Sequence, residues 1–172
     1  LATHLGLAFL ILGLLLHYGF QLRRDGAEIL AARRRRIPGP RLFGKVVLVL
    51  AFAQILVGAL EAGIDAGRGY VDWPRMGGEW VPSAALDYAP IWTNFFENPA
   101  LVQFNHRVLG YVLFLVGLGW WIRCRLQPHR GLRRWADGVA VMLAGQMVLG
   151  VVTVVNAAPL EWAILHQAGA IA

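Results

Sequence analysis

The sequence predicts an all-α integral membrane protein, a helical bundle with five transmembrane segments. Three observations carry that reading. Hydrophobic residues make up 58% of the 172-residue chain and charged ones only 15%, whereas soluble domains carry about a quarter charged residues. Four apolar runs, at 1–22, 46–64, 100–122 and 138–157, reach the roughly 20 residues needed to cross a hydrocarbon core. The segments between them alternate between strongly basic and mixed composition, as inner and outer loops of a multi-pass protein do.

Taken in order, the first run opens at Leu1 with no preceding Met, and a fifth run beginning near Leu160 is cut short at Ala172. The chain therefore reads as an internal piece of a longer membrane protein. Two basic loops, 23–45 and 123–134, hold 13 of the 16 Lys and Arg residues, including the run Arg33-Arg34-Arg35-Arg36. The long loop at 65–99 holds only Arg68 and Arg75, set against Asp65, Asp72, Glu79, Asp87 and Glu97. The positive-inside bias puts both basic loops in the cytoplasm, or in the matrix of an organelle. Trp120, Trp121 and Trp135 then fall at the inner interface and Trp162 at the outer one.

Because the basic residues bracket apolar runs, the net charge of +6 points to the lipid bilayer as partner and not to nucleic acid. The arginine run is expected to anchor at anionic headgroups, with docking to a partner protein as the alternative. Cys124 is the only cysteine, which excludes an intrachain disulfide and any cysteine-based metal site. In the long loop, Pro74, Pro82, Pro90 and Pro99 stand among Tyr70, Trp73, Trp80, Tyr88, Trp92, Phe95 and Phe96. That density suggests a folded cap on the outer face. A tight turn is expected at Ala158-Pro159.

Three histidines fall on three different runs. At a rise of about 1.5 Å per residue, His106 and His166 each lie roughly 9 Å below the outer ends of their helices. His4 lies roughly 27 Å from the inner end of its run and His106 roughly 24 Å from its own, so all three occupy one outer-leaflet layer. His17 and His129 lie elsewhere. A single intramembrane histidine is ordinarily a hydrogen-bonded packing residue. Three at one level suggest a shared cofactor plane, since each neutral imidazole needs a partner and haem iron supplies one. Gly6, Gly110 and Gly169 follow the histidines at two to four residues and would let a flat macrocycle or a helix approach. Arg107 either pairs with a haem propionate or reaches outward to the interface. Glu61 is either a proton-handling group or a carboxylate paired with an arginine at the interface.

A short repeat runs through the chain. Gln54-Ile-Leu-Val-Gly58 returns as Gln146-Met-Val-Leu-Gly150, and Ala2-Thr3-His4-Leu5-Gly6 is echoed by Ile164-Leu165-His166-Gln167-Ala168-Gly169. Extended backwards, the pattern predicts two four-helix units, each offering a histidine pair. His106 and His166 form one complete pair and His4 belongs to the other.

At several places the residues resemble the haem A synthase family of proteobacteria and mitochondria. The stretch Asn94-Phe95-Phe96-Glu97-Asn98 with Val102-Gln103-Phe104-Asn105-His106-Arg107 carries the resemblance furthest. It is joined by Ala59-Leu60-Glu61-Ala62-Gly63-Ile64-Asp65-Ala66-Gly67, Asp72-Trp73-Pro74, Leu165-His166-Gln167-Ala168-Gly169-Ala170 and the opening Ala2-Thr3-His4-Leu5-Gly6-Leu7-Ala8-Phe9. The resemblance implies an eight-helix protein of two four-helix halves, with this chain covering roughly the fourth to eighth helices. Residues 1–22 would end the first half, 23–45 would be the cytoplasmic loop, and 46–172 would be the haem-binding second half.

The implied activity is oxidation of a methyl group of haem O to a formyl group, giving haem A for cytochrome oxidase. The resemblance further implies haem b held by His106 and His166, with Arg107 beside it, and His4 toward the substrate haem. A haem O synthase and an electron donor are the implied partners, in a bacterial or mitochondrial inner membrane. The family's catalytic Glu lies in the first half, three residues before its histidine; the corresponding position here is Gln103. Two other classes remain: a b-type cytochrome subunit passing electrons to or from quinone, and a transporter whose histidines relay protons. Against the first, no helix here completes a second, inner-leaflet histidine site.

Overall fold

The computed structural model describes residues 1–34 and 38–171. Among them the chain forms seven α-helices and three 3-10 turns: α1 (Ala2–Leu22), α2 (Gly26–Arg34), α3 (Pro38–Gly63), turns at Ala66–Arg68, Ser83–Leu86 and Ile91–Thr93, α4 (Asn94–Glu97), α5 (Pro99–Arg125), α6 (Arg130–Val155) and α7 (Leu160–Gly169). Four helices are long and apolar enough to cross a membrane: Ala2–Leu22, Gly39–Gly63, Pro99–Arg125 and Arg130–Val155. The fifth segment starts at Leu160 as expected, and its ten helical residues reach part of the way across.

The helices run past the apolar windows that mark them. α3 begins at Pro38 and α6 at Arg130, eight residues before the apolar run in each case. Hydropathy marks only the part of a helix in hydrocarbon, whereas i→i−4 bonding continues into the interface while the residues tolerate it. Trp120 anchors this N-terminal end of α3, its indole donating to the Pro40 carbonyl at 2.8 Å. The first basic loop also contains a helix. α2 starts after Asp25, whose Oδ1 accepts the Glu28 backbone N–H at 2.7 Å and satisfies a first-turn donor. The arginine run expected at the headgroups falls largely outside the described residues.

Neighbouring helices pack in the order α1–α3–α5–α6–α7. Without a hydrophobic drive between helices in lipid, small residues decide how closely they pack. Gly6, the buried residue of α1, fits against Leu56 and Phe52 of α3. Gly117 of α5 takes Leu143 of α6 in the same way. Other leucines of α1, among them Leu7, Leu10, Leu14 and Leu15, remain exposed on a surface suited to lipid or further helices.

The expected outer cap is a folded unit. Asp72 accepts the backbone N–H groups of Gly77 and Gly78 at 2.8 and 3.0 Å, closing a turn in which both glycines have positive φ. Those two bonds, Gly78 first, hold the Asp72 carboxyl below the usual carboxylate range. Met76, almost fully buried, pairs with Glu79 through two backbone bonds, and the Arg75 guanidinium lies 5.3 Å from the Trp80 ring centre. Buried Asn94 ties Tyr88 and Ile91 together, donating to both carbonyls and accepting from the Tyr88 N–H. Asn98 accepts from the N–H groups of Ala100 and Leu101 and so caps α5, while its amide donates to the Ala84 carbonyl. The cap thus fixes where α5 begins, and with it the depth and facing of everything α5 carries.

Candidate functional site

A cavity of about 970 Å³ opens between α3, α5, α6 and α7, with a mostly apolar lining. Its polar groups include Gln54, Glu61, His106, Arg107, Gln146 and His166. His106 enters from α5, two turns below the Asn98 cap, and His166 enters from α7, two turns below Pro159. The two imidazoles approach with ring centres 6.4 Å apart and planes at 87°. Two imidazoles bound to one metal at about 2 Å each, on opposite sides, would put their ring centres about 6 Å apart. The observed separation matches that span.

Each imidazole lies against a glycine on the neighbouring helix. A Cβ on Gly58 would stand 2.9 Å from Cε1 of His106, and one on Gly150 would stand 3.1 Å from Cε1 of His166. Any side chain at either position would occupy the space of the ring. The Nδ1 atom of His166 is buried with no protein partner, as is Oε1 of Gln54. Buried polar atoms are normally satisfied, so these two mark a site with capacity for more bonds. Among the described residues no group of three or more His, Cys, Asp or Glu side chains could hold a metal ion. Two imidazoles alone suit a metal that brings its remaining ligands with it, as a porphyrin does.

His4, expected to belong to the other half, stands apart from this pair. It lies on the exposed side of α1, two residues from Gly6, which is buried against α3. Two residues turn an α-helix by about 200°, so the packing that buries Gly6 turns His4 away from His106 and His166.

Arg107 has a role that neither sequence expectation names. Its Nη groups donate to three cap carbonyls, Tyr70 at 2.7 Å, Asp72 at 2.8 Å and Arg75 at 2.9 Å. The fork of the guanidinium matches carbonyls converging from one loop, and this holds the cap down over the cavity mouth. Nε of Arg107 stays buried without a protein partner. Gln103, one turn earlier and fully buried, donates to the same Tyr70 carbonyl at 2.9 Å.

Glu61 turns into the site, with Oε2 3.7 Å from Nε2 of His106. The expected arginine pairing is not among the described ion pairs. His17 bonds to Gln21 on the exposed inner half of α1, and His129 stands at the N-cap of α6, so both are remote from the pair as expected.

Gln54 was visible in the sequence only as part of a repeat. In the fold its amide lies against His106, 3.1 Å from Nδ1 and 3.2 Å from Nε2. The recurrence of Gln-x-x-x-Gly on α3 and α6 was the available signal. Which histidine each copy meets depends on helix pairing, which the repeat does not state.

The family model for COX15-CtaA, described as cytochrome oxidase assembly protein, matches residues 1–172. The chain is 56% identical over 171 residues to a "Heme A synthase" of Dinoroseobacter shibae, an alignment covering 99% of this chain and 45% of that protein. It is 52% identical over 169 residues to the protein of that name from Ruegeria pomeroyi (97% of this chain, 44% of that one). With the one from Paracoccus denitrificans, identity is 50% over 174 residues (100% and 45%). The chain thus spans about half the length of the curated relatives it matches. No solved structure matches it.

Proposed function

The chain belongs to the COX15-CtaA family of cytochrome oxidase assembly proteins, and we propose that it forms the haem-binding C-terminal half of a haem A synthase. The whole protein would oxidise a methyl group of haem O to a formyl group, yielding haem A for cytochrome oxidase. The observation that carries this reading is the His106–His166 pair, 6.4 Å apart across an apolar cavity. In this proposal His106 and His166 would hold a haem b, which would supply one-electron transfer.

The chain's own residues then have distinct tasks. Gly58 and Gly150 give the imidazoles room against α3 and α6. Arg107 and Gln103 fasten the cap through the Tyr70 carbonyl and so restrict water at the outer mouth. Arg107 Nε and the Glu61 carboxylate are the polar groups available at the outer edge of the cavity. His4, on the opposite side of α1, would serve the substrate haem of the first half. We place residues 1–22 in that half and 46–172 in the second, with 23–45 as the cytoplasmic connection in an inner membrane. An electron donor and a haem O synthase would be partners of the complete protein.

The test is haem extraction from purified full-length protein, with mass identification of each pigment, together with His106→Ala and His166→Ala variants. Haem b is expected in the native protein, and its bis-imidazole spectrum is expected to disappear in both variants. An unchanged spectrum in both would remove them as ligands. Membranes lacking the protein should accumulate haem O. Normal haem A levels there would leave a b-type cytochrome as the better account.

A further inference from the structure

The two glutamines of the repeat are not accounted for by ligation or by cap closure. Gln54 lies on α3 one turn before Gly58, and its Nε2 donates to the backbone carbonyl of His106 at 3.1 Å. The same nitrogen stands almost equally far from Nδ1 and Nε2 of the His106 ring, at 3.1 and 3.2 Å. An amide approaching in the ring plane at equal distance from both would collide with Cε1 between them. The amide therefore lies over a face of the imidazole and does not itself occupy the in-plane direction of either ring nitrogen.

Room for it comes from Gly110, one turn beyond His106, where a Cβ would stand 3.2 Å from Gln54 Nε2. The second copy repeats the two glycine contacts. His166 rests on Gly150, and a Cβ on Gly169 would run into the amide of Gln146, one turn before Gly150. In both crossings a histidine packs on a glycine of its neighbour while that neighbour's glutamine packs on a glycine of the histidine's helix.

We propose that Gln54 is a positioning residue that sets the rotation of the His106 ring, and that Gln146 is its counterpart for His166. This rests on the reading that the two histidines hold haem. Imidazole ligands are usually oriented by a bond to their second nitrogen. At His106 the orienting contact comes from the Gln54 amide over the ring face, held in place by its bond to the His106 carbonyl, and Gln146 is assigned the same task from the repeat. Ring rotation sets the mutual angle of the two imidazoles, observed at 87°, and so the electronic state of an iron between them.

The experiment uses purified full-length protein carrying Gln54→Met, which keeps the volume and loses the amide, and separately Gln146→Met. The readouts are the low-spin electron paramagnetic resonance signal, the midpoint potential and haem per protein. Each variant is expected to displace or split the signal and shift the potential while haem is retained. Gly110→Ala crowds the Gln54 amide without removing it and should displace the signal in the same sense, which covers a failure of Gln54→Met to fold. An unchanged signal and potential in Gln54→Met and Gly110→Ala would overturn the inference and leave the haem reading intact. No bis-imidazole signal in the native protein would overturn both.

Discussion

Replacing Gly58 with alanine probes the site with a single methyl group. Its Cβ would sit 2.9 Å from Cε1 and 3.3 Å from Nδ1 of His106. Carbon contacts settle at about 3.5–4.0 Å, so the ring or the helix behind it must retreat by roughly 0.6–1 Å. Metal–ligand distances are held to about 0.2 Å, so a ligand displaced this far cannot keep its bond unstrained. Overpacking of this kind costs about 1–3 kcal/mol. At about 1.4 kcal/mol per factor of ten, haem affinity should fall roughly 5- to 150-fold. Gly150→Ala, whose Cβ would stand 3.1 Å from Cε1 of His166, should act in the same direction and less strongly.

Gly145→Ala is the control, because it lies on α6 with nothing within 4 Å of its Cβ position. It should leave haem content unchanged. The assay is haem per protein from the reduced-minus-oxidised spectrum, with gel filtration to show that each variant is folded. A Gly58→Ala protein carrying a full complement of haem with a native spectrum would refute the packing argument.

Other perturbations address the cap. Arg107→Ala removes bonds to three carbonyls. Because a bond to a charged group is worth about 1.5–3 kcal/mol and these act together, loosening of the cap by about 2–4 kcal/mol is expected. Limited proteolysis of the loop at 65–98 should accelerate, and Arg107→Lys should not restore protection, because one ammonium cannot span the three carbonyls. Equal cleavage rates would show that the cap holds without the guanidinium. The Asp72 carboxyl is held below its ordinary value of 3.8 by the N–H groups of Gly78 and Gly77. A lowered folded-state value stabilises the turn fully above that ordinary value, and the contribution is lost as pH falls below it. Cap protection should therefore decline in acid in the native protein and be low and flat with pH in Asp72→Asn, as followed by hydrogen exchange at Gly77 and Gly78. An identical acid profile in both would exclude this carboxylate as the cause.

How much was legible in the sequence differs between elements. The spans follow from local sums, since apolar length requires no knowledge of neighbours. The depth of His106 and His166 likewise follows from counting at a fixed rise. The extra helix α2 was missed because its nine residues are too few for a span and lie in a segment rich in arginine, which reads as a loop. The Asp25 cap, with Glu28 three residues on, was its visible sign. The bonds of Arg107 to the cap were not legible, because its carbonyl partners lie 32 to 37 positions away in the chain.

Composition and spacing alone establish a membrane-spanning α-helical chain and bring histidines on separate helices to a similar level. Each of these is a one-dimensional property, set by length, charge and rise along the chain. The tertiary structure decided which faces meet. Gly6 on Leu56 turns His4 outward, while Gly58 and Gly150 receive His106 and His166. Azimuth around a helix becomes a fact about the molecule only when a second helix packs against it, and small residues at the crossing choose which face that is.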